Sequence, residues 1–287
     1  MKRISVSAVF FLVLMLVLML AVAGCGKSPD EKRQAYMESA REYQEQGKYA
    51  EAAIQYQNAL QIAPDDATAL VSLGEAQLKL NRPQEAYASF SKASKADPKN
   101  VKAREYLASM LLLAKRYDMA EKEARAVLEI DPGHVLAREV LAQALFMGGK
   151  RDEGVGFMEG LLKGPHPTEE MYINTIQMYM AEGRTADALA LIDKGSVLFP
   201  KSTRIRFMAS DIYALQEDPG TALKWAQDAY KVSDGSVTAG VALAMFYARN
   251  NMDELYRNQL AAMKQKHPES PEPVSYTHLT LPTIYSV

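Results

Sequence analysis

Prolines recur along this chain at a fixed step. Pro64, Pro98 and Pro132 stand 34 residues apart, Pro200 lies two steps further on, and Pro268 two more. The two skipped marks fall at His166, flanked by Pro165 and Pro167, and at Asp234 in the turn Ser233-Asp234-Gly235. A fixed period of this length is the mark of a stacked array, in which each period is one small supersecondary unit that buries its apolar face only against its neighbours. Setting the proline at position 32 of each period divides the chain into seven units: 33–66, 67–100, 101–134, 135–168, 169–202, 203–236 and 237–270.

The units share more than length. Position 8 is small in Ala40, Gly74, Ala108, Ala142, Ser210 and Ala244, and position 20 in Ala52, Ala86, Ala120, Gly154, Ala188 and Ala222. Small residues at both places let two antiparallel helices approach closely, with larger apolar residues such as Leu70, Leu73 and Phe90 filling the seam. Gly47, Gly149 and Gly183 mark the turn between the two helices, where a left-handed backbone costs glycine least. The proline at position 32 ends the second helix, having no N–H to donate. This pattern resembles the tetratricopeptide repeat. The resemblance covers 33–270 and implies an all-α, right-handed superhelical solenoid with a concave inner face. Units four to seven depart from it most: Ile176 stands at position 8 of unit five, and Tyr256 and Met263 stand at positions 20 and 27 of unit seven.

In proteins of this kind, first-helix positions 2, 5, 9, 12 and 13 face the groove. They carry an apolar, methionine-rich stripe through units three to six: Leu112, Phe146, Met147, Ile173, Met180 and Phe207. Among these lie Glu105, Glu139, Gln143, Gln177 and Asp211. The stripe suits an extended peptide or a partner helix, with Met and Phe as adaptable anchors. For Phe146, Met147 and Met180 a core role is the competing reading, and for the polar set a solvated surface. The resemblance also implies what is missing. Family members that grip a carboxylate terminus do so with Lys and Asn at positions 5 and 9, and here those places hold Met37 and Arg41, Val71 and Glu75, Glu105 and Ser109.

The first 24 residues follow a different rule. Met1-Lys2-Arg3 is a positive start, Val9 to Val22 is almost wholly apolar, and Val22-Ala23-Gly24 leads to Cys25, the chain's one cysteine. A charged start, an apolar run and small residues before a cut describe a secretory signal, and the run is short for a membrane span. The small-small-Cys ending resembles a bacterial lipobox, which implies cleavage before Cys25 and acylation of its thiol. Several acyl chains would then hold the protein at a membrane. No Asp follows the cysteine, which favours an outer-membrane address facing the periplasm.

Charge and composition exclude more than they assign. With 33 basic and 35 acidic residues the net charge is −2, which gives no electrostatic footprint for nucleic acid. One cysteine forbids an internal disulfide. His134, His166 and His267 form no paired ligand motif, so no metal, cofactor or catalytic residue is predicted. Trp225 sits at an apolar position of a second helix and reads as core.

After Pro273 the character changes again. Val274–Val287 has no charged residue in 14 positions. Written as GTC TCT TAT ACA CAT CTG ACG CTG CCG ACG, the codons for Val274 to Thr283 resemble a transposase-type sequencing adapter, a scar to be left out of fold reasoning. The natural gene is then expected to continue past Pro273, all the more since no capping helix follows unit seven. The expected function is a non-catalytic scaffold on a lipid anchor that docks envelope proteins. Its build resembles that of lipoproteins in the assembly or export of pili, outer-membrane components or exopolysaccharide. The alternative is the docking arm of a longer protein with a catalytic domain beyond residue 273.

Overall fold

The computed structural model describes residues 28–268. Cys25, the apolar run before it and the tail Val274–Val287 lie outside the described residues. Among those described there are fourteen helices and no strand: α1 Pro29–Glu45, α2 Tyr49–Ile62, α3 Ala67–Lys79, α4 Pro83–Ala96, α5 Val101–Leu113, α6 Tyr117–Ile130, α7 Val135–Met147, α8 Arg151–Leu162, α9 Glu169–Ala181, α10 Thr185–Leu198, α11 Thr203–Leu215, α12 Pro219–Val232, α13 Val237–Arg249 and α14 Asp253–Lys266. None of them is long and apolar enough to cross a membrane. They pair in order as hairpins, α1 with α2 through α13 with α14.

The hairpins are cut to one template. A side chain caps each first helix by accepting the N–H three residues on. Ser28 serves α1, and Asp66, Asn100, His134, Thr168, Ser202 and Ser236 serve the six that follow, at a spacing of 34. An acceptor here satisfies one of the N–H groups that the first turn leaves open. His134 does this through Nδ1, 3.2 Å from the Ala137 nitrogen.

Each first helix ends in the same closure. In the first hairpin the Lys48 N–H reaches back to the Tyr43 carbonyl and the Gly47 N–H to that of Gln44, a Schellman turn. The pivot residue has a positive φ in all seven: Gly47, Asn81, Lys115, Gly149, Gly183, Glu217 and Asn251. Three of them are the glycines expected from the sequence. The other four make the same turn with side chains that tolerate it less well.

The chain forms two compact units, divided after Gly133. The first holds α1 to α6. Its packing starts from Ala40, Ala52 and Ala59, all fully buried, with Tyr56 and Leu73 filling the seam. Gly74 is required here, because a Cβ would stand 2.6 Å from the Phe90 ring. The second unit holds α7 to α14. Its main core joins Ala142, Phe146, Met158, Tyr172, Ile173, Ile176, Ile192 and Ile205, and a smaller one gathers Ala222, Leu243, Phe246 and Tyr247. Ile176, the departure at position 8, is fully buried. Trp225 packs against the main core but is only partly buried, less central than expected. The exposed face of α14 is mixed, with Glu254, Arg257, Asn258, Lys264 and Lys266 beside Leu255, Ala261 and Ala262.

Candidate functional site

The 34-residue step sets side chains of neighbouring first helices next to one another. In the second unit this builds a cleft of about 400 Å³ on α9, α11 and α13. Ile173 and Phe207, both at position 5, form its apolar floor with Met208, Ala239 and Ala242. Gln177 and Asp211, both at position 9, supply polar groups, and Arg204 and Arg249 stand at the margins. Arg204, which lines the cleft, pairs with Glu170, with contacts of 2.6 and 3.4 Å. Asp211 has one charged neighbour, Arg249, at 3.5 Å. Burial pushes the Asp211 carboxyl above the ordinary aspartate value, and the Arg249 charge opposes this.

The structure sorts the residues expected to line the groove. Phe207, Met180 and Leu112 are partly exposed, and Met147 is half exposed at 50%. Phe146 is 6% exposed and belongs to the core, which corrects its reading as an anchor. The cause lies across the hairpin: at Gly154 a Cβ would stand 2.7 Å from the Phe146 nitrogen and 2.8 Å from its Cβ, so α8 sits tight against this part of α7. The Arg151 guanidinium covers the ring's outer side at 5.5 Å. Ile173 is 1% exposed, a core residue that touches the cleft with its edge. Of the polar set, Gln143, Gln177, Asp211 and Glu105 are partly buried, and Glu139 is buried at 8%. Glu139 is thus not a solvated surface group.

The first unit carries another hollow, in which Gln44, Glu75, Leu78 and Lys102 stand at expected groove positions and Tyr106 does not. It measures about 640 Å³ and is bordered by Gln44, Glu75, Leu78, Lys102 and Tyr106. Tyr106 stacks on Phe90 with ring centres 4.4 Å apart, and its hydroxyl donates to Glu75 at 2.9 Å. Burial first, and then this carboxylate, push the Tyr106 hydroxyl far above the usual tyrosine value. Lys102 meets the same carboxylate at 2.5 Å. Tyr106 falls at position 6, outside the set of groove positions, so the periodic rule gave no signal for it. Among the described residues, no three His, Cys, Asp or Glu side chains converge as metal ligands would.

A model of the tetratricopeptide repeat family matches residues 37–101 and 76–135. Residues 37–135 are thus similar to tetratricopeptide repeats. Solved structures carry the same fold further along the chain. The structure described as a functional characterization of Pseudomonas aeruginosa pilF aligns with 79% of this chain and 100% of its own, at a TM-score of 0.58 and 19% identity. A tetratricopeptide repeat protein from Parabacteroides merdae aligns with 75% of this chain and 84% of its own, at 0.57 and 20%. Coverage of that extent passes Gly133 into the second unit, so the repeat fold is not confined to the segment that the family model matches. No curated protein sequence matches the chain. At these identities the likeness is one of fold, and function has to be read from the sites.

Proposed function

We propose that this protein is a tetratricopeptide-repeat scaffold of the bacterial cell envelope, held to a membrane by acylated Cys25, that docks partner proteins and takes no chemical step itself. A stacked helical array with a concave face is consistent with a platform for protein–protein contact. The cleft on α9, α11 and α13 carries the reading of this chain in particular. It is concave, apolar at its floor and polar at its rim, which is the composition of a recognition site. Phe207, partly exposed at its centre, is the anchor. The envelope address rests on the signal-like start, the Val22-Ala23-Gly24-Cys25 ending and the single cysteine. Assembly or export of pili, outer-membrane components or exopolysaccharide is the class of process such a docking protein would serve.

Two measurements test this. Radiolabelled palmitate supplied to an expressing bacterium is expected to label the wild-type chain and not Cys25→Ala. An unlabelled wild type would remove the anchor. Site-specific photocrosslinking from Ala242 in envelope fractions is expected to give discrete adducts that Phe207→Ala reduces by at least about thirtyfold, the loss of one buried hot spot. Adducts that are indifferent to Phe207 would remove the cleft from the function.

A further inference from the structure

Glu139 on α7 is a carboxylate that the free fold leaves without a partner. It is 8% exposed, yet among the described residues nothing donates a hydrogen bond to it and no cation pairs with it. The charges at the groove positions of the second unit otherwise cancel. Glu170 pairs with Arg204 and Asp211 with Arg249, so Glu139 is the charge left over. The Asp211 pair is itself loose at 3.5 Å, and Asp211 accepts no hydrogen bond. Carboxylates partly withdrawn from water carry a cost when no protein donor faces them. Their costs show in both groups: burial, then the charge of Glu170, pushes the Glu139 carboxyl up, and burial does the same to Asp211.

We propose that this face of the second unit receives a basic and apolar segment of a partner protein, which seats a large apolar side chain in the cleft on Phe207 and Ile173 and sets a Lys or Arg against Glu139. The inference rests on the reading of the cleft as a docking site and adds the chemistry of its occupant. An acidic segment fits poorly. Both guanidiniums at the cleft are already engaged, and Asp211 and the Glu170 that pairs with Arg204 add negative charge there. A purely apolar segment would bury Glu139 further and supply no donor. A basic segment meets both demands, since its apolar side chain displaces water from the floor while its cation supplies the missing partner.

Random dodecapeptides displayed on phage and selected on the immobilised full chain test this. Selected sequences are expected to place Lys or Arg near Leu, Phe or Met. Synthetic copies are expected to lose at least about tenfold in affinity on Glu139→Gln. The same loss is expected on Phe207→Ala and on Ala242→Trp, which fills the cleft from α13. Glu139→Gln removes a burial cost, so it should melt no lower than the parent, and lost binding is then not lost folding. Peptides that depend on Phe207 and Ala242 but are acidic, or are indifferent to Glu139→Gln, would overturn the basic-segment assignment and leave the docking site standing. Binders indifferent to all three substitutions, or no enrichment at all, would overturn both.

Discussion

Two glycines on one helix show how finely side-chain volume is set. In α8, an added Cβ at Gly154 would stand 2.7 Å from the Ala142 carbonyl oxygen and the Phe146 nitrogen, whereas at Gly156 nothing lies within 4 Å. Gly154→Ala is therefore expected to destabilise the second unit by about 1–3 kcal/mol, the cost of overpacking. Gly156→Ala is expected to stabilise it by about 0.8–1 kcal/mol through helix propensity alone. Urea titrations of the two variants should shift in opposite directions, and a shared direction would refute the close approach of α7 and α8. Glu139 provides a pH-dependent case. Its carboxyl holds its proton to higher pH when folded than when unfolded, through burial first and Glu170 second. The native state then binds more protons than the unfolded chain over that interval, and stability falls as pH rises through it. Glu139→Gln should melt above the parent at neutral pH, with the gap closing as the pH is lowered into the carboxylate range. A gap that is constant with pH would show that the charge is not the cause.

Each first helix is bounded by two local devices, and both can be tested singly. Asn100 accepts the Ala103 N–H at 2.9 Å, so Asn100→Ala is expected to cost about 1 kcal/mol. At the other end of the first helices, Lys115 and Glu217 hold φ values of 57° and 60°. Replacing either with glycine should raise stability by roughly 0.5–1 kcal/mol, since glycine alone adopts this conformation without a Cβ clash. A lower melting temperature in either variant would contradict the turn geometry. These devices also show what could be read in advance. The prolines and small residues fixed the helix pairs because they act through the main chain and through contact distance, which repeat with the sequence. The polar cap at position 34 was open to the same inspection, but five residue types fill its six places, Asp66, Asn100, His134, Thr168, Ser202 and Ser236, so no single letter betrays it. Phe146 and Phe207 were less legible. Both occupy groove positions by count, and only the close approach at Gly154 sends the first inward while the second stays partly open. That difference lies in the facing helix, beyond the reach of position numbers. Cys25 and the tail, by contrast, were read from local letters alone and await the labelling experiment and its equivalents.

Across the molecule, contacts concentrate within two compact units, so stability should be regional rather than uniform. A fragment ending at Gly133 is expected to keep a cooperative helical melt, because its core of Met37, Ala52, Tyr56 and Leu73 is complete within it. A fragment that shows only non-cooperative loss of helix would mean that the first unit borrows stability from residues further along. The turn that closes every first helix has a wider consequence. It is held by main-chain N–H and carbonyl groups, and its pivot residue is exposed in all seven hairpins. At Asn81, Lys115, Glu217 and Asn251 the turn already carries an exposed side chain at a positive φ, so one such side chain can be exchanged for another without altering the closure. One edge of each unit therefore carries evenly spaced places where a charge, a label or a tether can be installed or removed, leaving the core and the cleft as they were.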